Sequence, residues 1–226
     1  MKRHLDEELK DIKQKLLRMA ALVEESIAQS IQGLKEERED LPQQVLSRES
    51  EVNRLDVEVD LLGLKLLALN QPMAMDLRLI STVLRMGRDL ERMGDLAVNI
   101  AERTLDLIRR PRLKPLVDIP RMAEASQRMV RDALTAFIDR DTALARDICR
   151  RDAEVDALND QVFRELLTYM MQDPATVARA VDLILVGRNL ERIADHATNI
   201  AEDVIFYVEG KYIKHHSAPN GSAKPS

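Results

Sequence analysis

The sequence predicts an all-α fold of two tandem, pseudo-symmetric three-helix bundles, and three observations carry that expectation. Apolar residues recur at steps of three and four through long uninterrupted stretches, the spacing of one helical face. Only 7 Gly and 8 Pro are spread over 226 residues, and aromatics make up 3% with no Trp, which leaves few sites for the tight turns and aromatic strands of a β fold. A segment of the first half recurs in the second at a constant offset, as duplication of one bundle would leave it. The 34 Lys and Arg against 39 Asp and Glu give a net charge of −5, which disfavours a nucleic-acid partner. Hydrophobic residues at 45% beside 32% charged suit one or two packed cores rather than a disordered chain.

The first helix carries Leu5, Leu9, Ile12, Leu16, Met19, Val23, Ile27, Ile31 and Leu34 on one face and gives way to the charged run Lys35 to Asp40. Pro42 fits the first turn of a second helix, where a missing N–H is tolerated, and that helix is expected to reach Leu69. Asn70-Gln71-Pro72 punctuates the chain, and a third helix runs on to Arg109 without another proline, a length of about 50 Å or more. Short connections make these three an up-down-up bundle over residues 1–110. Three prolines between Arg110 and Pro120 exclude a helix interior, so 111–120 reads as a linker. The pattern then restarts over 121–210: Met122, Met129, Leu134 and Phe137 on one helix, Ala143 to Met171 on another, Ala175 to Val208 on a third. The polar tail 211–226 has no periodicity and is expected to be disordered.

Cys149 is the single cysteine, so an intrachain disulfide and a Cys-rich structural zinc site are both excluded. The run Met1 to Lys15 is charged from its second residue and lacks the apolar core of a secretory signal. No apolar stretch approaches the roughly 20 residues that span a bilayer. A cytoplasmic protein without a transmembrane segment is the expectation.

The duplicated segment holds the chemistry. Gly87-Arg88-Asp89-Leu90-Glu91-Arg92-Met93-Gly94-Asp95 through Glu102 aligns without gaps on Gly187-Arg188-Asn189-Leu190-Glu191-Arg192-Ile193-Ala194-Asp195 through Glu202, an offset of 100, with eleven of sixteen positions identical. Helical geometry stacks Glu91 on Asp95, with Glu102 near the same line and Asn99 at its flank; Glu191, Asp195, Glu202 and Asn199 repeat this. The core stripe lies elsewhere, on Val83, Met86, Leu90, Met93, Ala97 and Ile100 and their counterparts Leu183, Val186, Leu190, Ile193, Ala197 and Ile200. Upstream, the acidic face carries Leu77, Ile80 and Leu84, and Val177, Ala180 and Ile184, so it reads as partly covered.

Carboxylates at i and i+4 repel, more strongly in a groove of lower dielectric. Either Arg88 and Arg188, three residues before each Glu, or a bound cation is expected to offset this. The second helices add Asn53, Asp56 and Asp60, and Asp156 and Asp160. Converging carboxylates without His or Cys suit a hard cation such as Mg²⁺, Mn²⁺ or iron. The plain alternative is a solvated face with intrahelical ion pairs. His196 reads as a lone helical histidine on the side away from the stripe, and no Glu-x-x-His pair of the di-iron bundles is present. Arg109, Arg110, Arg112 and Lys114 read as favouring a helix C-terminus and solubilising the linker, and the ten methionines as core filler.

The paired signatures, Glu91 to Asp95 with Asn99-Ile-Ala and Glu191 to Asp195 with Asn199-Ile-Ala, resemble those of the PhoU family of bacterial phosphate-uptake regulators. Gln71 to Arg78, Leu167 to Met171 and Ile205 to Lys211 share in the resemblance, which covers the chain to about His216. It implies a cytoplasmic homodimer and a non-catalytic adaptor that restrains the phosphate-starvation response when phosphate is plentiful. Its implied partners are the ATPase subunit of the Pst transporter (PstB) and the sensor histidine kinase PhoR, so any membrane association would be peripheral and through them. The resemblance also implies a multinuclear iron or zinc cluster on Glu91 with Asp95 and on Glu191 with Asp195; with the acids of the second helices the candidate metal ligands are Glu91, Asp95 and Asp56, and Glu191, Asp195 and Asp156, with Mg or Mn as alternative ions. Asn53 stands where the family pattern has an Asp, as Asp156 does in the second copy, and Ala194 replaces a glycine. Beside the adaptor stand a metal-free dimerisation scaffold, an accessory protein of another phosphate carrier and, last, a carboxylate-bridged metalloenzyme, which would lack a nucleophile, a histidine base and a phosphate loop.

Overall fold

The computed structural model describes residues 2–70 and 72–213, so the expected disorder of the tail beyond 213 lies outside the described residues, as does Gln71. Among the described residues there are six α-helices and no strand: α1 Lys2–Glu36, α2 Asp40–Asn70, α3 Met75–Ile108, α4 Asp118–Asp139, α5 Thr142–Gln172 and α6 Val177–Glu209, with one 3-10 turn, Pro174–Thr176, before α6. Among the described residues no helix is long and apolar enough to cross a membrane. The two tandem bundles, α1–α3 and α4–α6, are as the periodicity predicts. Every apolar residue of the α1 stripe from Leu9 to Leu34 is buried, and so are the core stripes of α3 and α6. Of the methionines, Met19, Met86, Met93, Met122 and Met129 fill the core, whereas Met73 and Met171 are exposed at the bundle ends.

Local chemistry sets the boundaries. Pro42 lies in the first turn of α2, where its missing N–H interrupts no helical bond. Asp141 caps α5 by accepting from the N–H groups of Ala143 and Leu144, each at 2.9 Å. The predicted linker 111–120 is shorter than expected, because α4 already begins at Asp118. Pro120 fits there for the same first-turn reason as Pro42.

What remains of the linker is strapped to both bundles rather than merely solubilised by its basic residues. Arg112 donates to Glu37 Oε1 at 2.8 Å and to Lys35 O at 3.1 Å. Arg110 donates to Asp182 Oδ2 at 3.2 Å, and Arg179 to Pro111 O at 2.8 Å. Lys114 turns inward, buried, and pairs with Glu165 of α5.

The two bundles share one continuous apolar core, joined chiefly where α3 packs against α6. The pairing is antiparallel: Arg78 Nε donates to Tyr207 O at 3.1 Å, Thr82 Oγ1 to Asp203 O at 3.4 Å, and Arg103 to Asp182 Oδ1 at 3.1 Å. The duplication is visible in this seam. Moving each partner by the repeat offset of 100 converts the Thr82–Asp203 contact into Arg103–Asp182, so the helices are related by a pseudo-twofold axis near Met93 and Ile193.

Removing Glu165 leaves the Lys114 ammonium buried without its partner. Glu165→Ala is expected to cost about 1–3 kcal/mol, read from the urea midpoint, with Glu165→Gln costing less.

Candidate functional site: two acidic grooves and the seam between them

In the first bundle α2 approaches α3 closely because Gly87 and Gly94 present no side chain. A Cβ on Gly87 would stand 3.5 Å from Asp56 Oδ1, and one on Gly94 3.2 Å from Val52. That approach sets Asp56 near Glu91, while Asn53 and Asp95 line one small groove with Val52 and Gly94. Glu91 is half-buried, its side chain 26% exposed. Burial pushes its carboxyl above the ordinary glutamate value, and Asp95 and Asp56 push the same way, while Arg92 and His196 oppose them. Asp56 is raised for the same reasons, burial first and then Asp60, against Arg88 and Arg92.

The compensating cation differs from the one predicted. Arg92 bridges the pair, Nε at 3.5 Å from Glu91 Oε2 and Nη1 at 3.4 Å from Asp95 Oδ2. Arg88 turns instead toward α2 and stands 4.0 Å from Asp60 Oδ1. Three residues along a helix is close to one turn, so the spacing alone left Arg88 on the right face; the side chain goes to the nearer acid of the neighbouring helix.

The second groove follows the same plan with a different donor set. Glu191 is half-buried and raised by burial, then by Asp195 and Asp156, with Arg188 opposing as predicted and Asp152 adding to the rise. Gly187 faces Asn159 Oδ1, where a Cβ would stand 3.1 Å away, so Asn159 occupies the place of Asp56. The two bundles thus exchange acid and amide: Asp56 and Asn53 in one, Asn159 and Asp156 in the other. Asp156 and Asp160 are exposed, whereas Asp152, one turn earlier on α5, is 1% exposed. Asp152 escaped the sequence reading, although its i, i+4 relation to Asp156 places it on the same face.

Glu102 and Glu202, predicted to extend the stripes, part company. Glu102 is solvent-exposed, and Glu202 lines a cleft of about 300 Å³ between α3 and α6 together with Arg85, Asp89, Asn199 and Asp203. His196 points to the same seam, away from the stripe of its own helix, its Nδ1 2.7 Å from Asp89 Oδ1. Asn199 donates to that oxygen at 3.2 Å, and Arg85 Nε to Asp203 Oδ1 at 2.7 Å. Burial outweighs Arg85 and, with Asp89 and Glu202 nearby, pushes Asp203 up to about 7. Cys149 is buried, and burial raises its thiol to about 11, far from a reactive thiolate.

Among the described residues no group of three or more His, Cys, Asp and Glu stands close enough together to hold a metal ion. The oxygen-only donors of the grooves match a hard cation in kind. In position they do not form a finished coordination sphere, since like charges keep the carboxylates apart and Arg92 lies across Glu91 and Asp95.

A duplicated three-helix protein, with an acid groove on the third helix of each repeat, is the class that fold and site define. The PhoU domain matches residues 16–104 and 119–204, and the chain belongs to the PhoU family. It is 41% identical over 211 residues to a protein of Aquifex aeolicus named phosphate-specific transport system accessory protein PhoU homolog, covering 93% of this chain and 96% of that one. A protein of the same name from Deinococcus radiodurans is 38% identical, over 93% and 99% of the two chains. The crystal structure of PhoU from Pseudomonas aeruginosa matches with a TM-score of 0.89 at 37% identity, covering 91% of this chain and 99% of that one. That of the phosphate transport system regulatory protein PhoU from Streptococcus pneumoniae matches at 0.84 and 25%, covering 93% and 99%.

The Asp203 carboxyl, raised from an ordinary 3.8 to about 7, binds an extra proton in the folded state between those values. Its contribution to stability is therefore full below about pH 4 and lost as pH rises through 7, with a limiting slope of about 1.4 kcal/mol per pH unit for one proton. Urea midpoints between pH 5 and 8 are expected to fall with pH, and Asp203→Asn to flatten that fall.

Proposed function

We propose that this chain is an accessory regulator of phosphate-specific transport and of the phosphate-starvation response, acting as a non-catalytic adaptor. The observation that carries the reading is the recurrence, on both bundles of a PhoU-family chain, of a desolvated acidic groove built on one helix register. Desolvated like charges make each groove a receiver of positive charge, supplied by a divalent cation or by a basic partner segment. To hold such an ion, Glu91, Asp95 and Asp56 in the first groove, and Glu191, Asp195 and Asp156 in the second, would have to draw together, and Arg92 would have to leave the first. The oxygen donors favour Mg²⁺, Mn²⁺ or iron over zinc, which prefers nitrogen and sulfur.

The proposed partners are the Pst ATPase subunit PstB and the sensor kinase PhoR, met at the cytoplasmic side of the membrane by a homodimer. Support for association comes from the apolar side chains that neither bundle uses. Val57, Leu61 and Leu64 lie at i, i+4 and i+7 on α2, each more than half exposed, and Phe163 and Leu167 are exposed on α5. A metal-free scaffold is the second reading, favoured by the Arg92 bridge, which already neutralises one groove in part. Service to a phosphate carrier other than Pst is a variant of the first.

Deleting the gene is expected to derepress alkaline phosphatase in high phosphate. Wild type should restore repression, and a Glu191→Gln, Asp195→Asn double variant should restore it poorly while losing bound metal in protein purified without tag or chelator. Full repression by a variant that has lost no metal would favour the scaffold reading, and normal repression in the deletion strain would contradict the regulatory role.

A further inference from the structure

At the end of the molecule where α1 and α3 begin and α4 and α6 finish lies a cleft of about 410 Å³, away from both acidic grooves. Its polar lining is Asp6, Lys10, Lys13, Asp76, Arg140 and Tyr207. Lys13 is half-buried, and burial and then Arg140 make its charge costly, against a weaker attraction from Asp76. Among the described residues neither Lys13 nor Arg140 makes an ion pair. Two cations thus face one cleft with neither neutralised at contact distance.

Arg140 is the residue that ends α4 and has φ 56°, a left-handed conformation that favours glycine. The repeat-related residue just past α1, Glu37, has the same conformation at φ 55°, so the turn belongs to the duplication and only the cation is particular to α4. At α4 the strained position instead carries a long cation, whose guanidinium lies 5.5 Å from the centre of the Tyr207 ring. That stacking fixes the guanidinium over the cleft and leaves its edge free to donate.

We propose that this cleft binds a phosphoryl-type anion, with Lys13 and Arg140 as its two cationic walls and Lys10 at its rim. With Lys10, Lys13 and Arg140 against Asp6 and Asp76 the lining carries a net charge of +1, and the two cations that make no ion pair favour an anion able to meet both at once. A tetrahedral group also offers oxygens to the Arg fork on one side and to the Lys ammonium on the other. Inorganic phosphate and the phosphates of a nucleotide share this chemistry. The proposal stands apart from the regulatory reading and from the acidic grooves.

The test is calorimetric titration of the full chain at pH 7.5 with inorganic phosphate and, separately, ATP, against sodium chloride at equal ionic strength. Binding of phosphate beyond the chloride control is expected, weakened about tenfold or more by Lys13→Gln and by Arg140→Gly. Arg140→Gly relieves the left-handed backbone, so the variant keeps its fold and its thermal midpoint reports that directly. Tighter binding of ATP than of phosphate assigns the cleft to a nucleotide, and equal or weaker binding assigns it to free phosphate. Absence of binding by both, or binding that both variants leave unchanged, overturns the proposal.

Discussion

Two glutamates held in half-buried helix grooves, each a single turn from an aspartate, set the terms for the rest of this molecule. Glu91 and Glu191 are raised by desolvation first and by their neighbouring acids second. Each such pair opposes folding slightly, and the opposition grows as water is excluded. The surrounding structure answers with cations drawn from the same helix turn: Arg92 across the first pair, Arg188 near the second. The compensation is incomplete, since both glutamates stay above their ordinary value. A groove in that state attracts positive charge from outside, and this is the physical content of its role as a receiving site.

The grooves can be held so because α3 and α6 are rigid on their other faces. Each is packed into its own bundle and the two run antiparallel along a shared seam. Hydrogen bonds from Arg78 to Tyr207 at one end and from Arg103 to Asp182 at the other span that seam. Its centre is apolar and one flank is polar, where Arg85, Asp89, His196, Asn199 and Asp203 meet. The duplication supplies the geometry and later substitution supplies the asymmetry: Asp89 and His196 have Asn189 and Leu96 as their symmetry-related counterparts. The linker straps tie the same two bundles together at the other end through Arg110, Arg112 and Lys114.

Much of this is written in the chain at the level of single helices. Six helices, the buried stripes of α1, α3 and α6, and the placement of Glu91, Asp95, Glu191 and Asp195 on covered faces follow from a period of 3.6 and from the scarcity of proline. The acid lines share one face within each helix, so one-dimensional spacing suffices. Relations between helices are less legible. Nothing in the spacing tells Arg88 from Arg92, because either lies within a turn of Glu91, and the choice depends on Asp60 of α2 standing nearby. His196 and Glu202 depend likewise on which face of α6 meets α3. The exchange of Asp56 for Asn159 follows from the offset that pairs Asn53 with Asp156, but its place at the groove becomes visible only when Gly87 and Gly187 fix the height at which each second helix crosses.

Site-specific carboxyl titration by ¹³C NMR is the most direct test of the desolvated grooves. Glu91 and Glu191 should titrate above the ordinary glutamate value in metal-free protein, and should fall when Arg is substituted for Asp95 or Asp195 respectively. Titration of both glutamates at or below the ordinary value would mean that the grooves are already neutral or open to water, and the account of them as receivers of positive charge would fail.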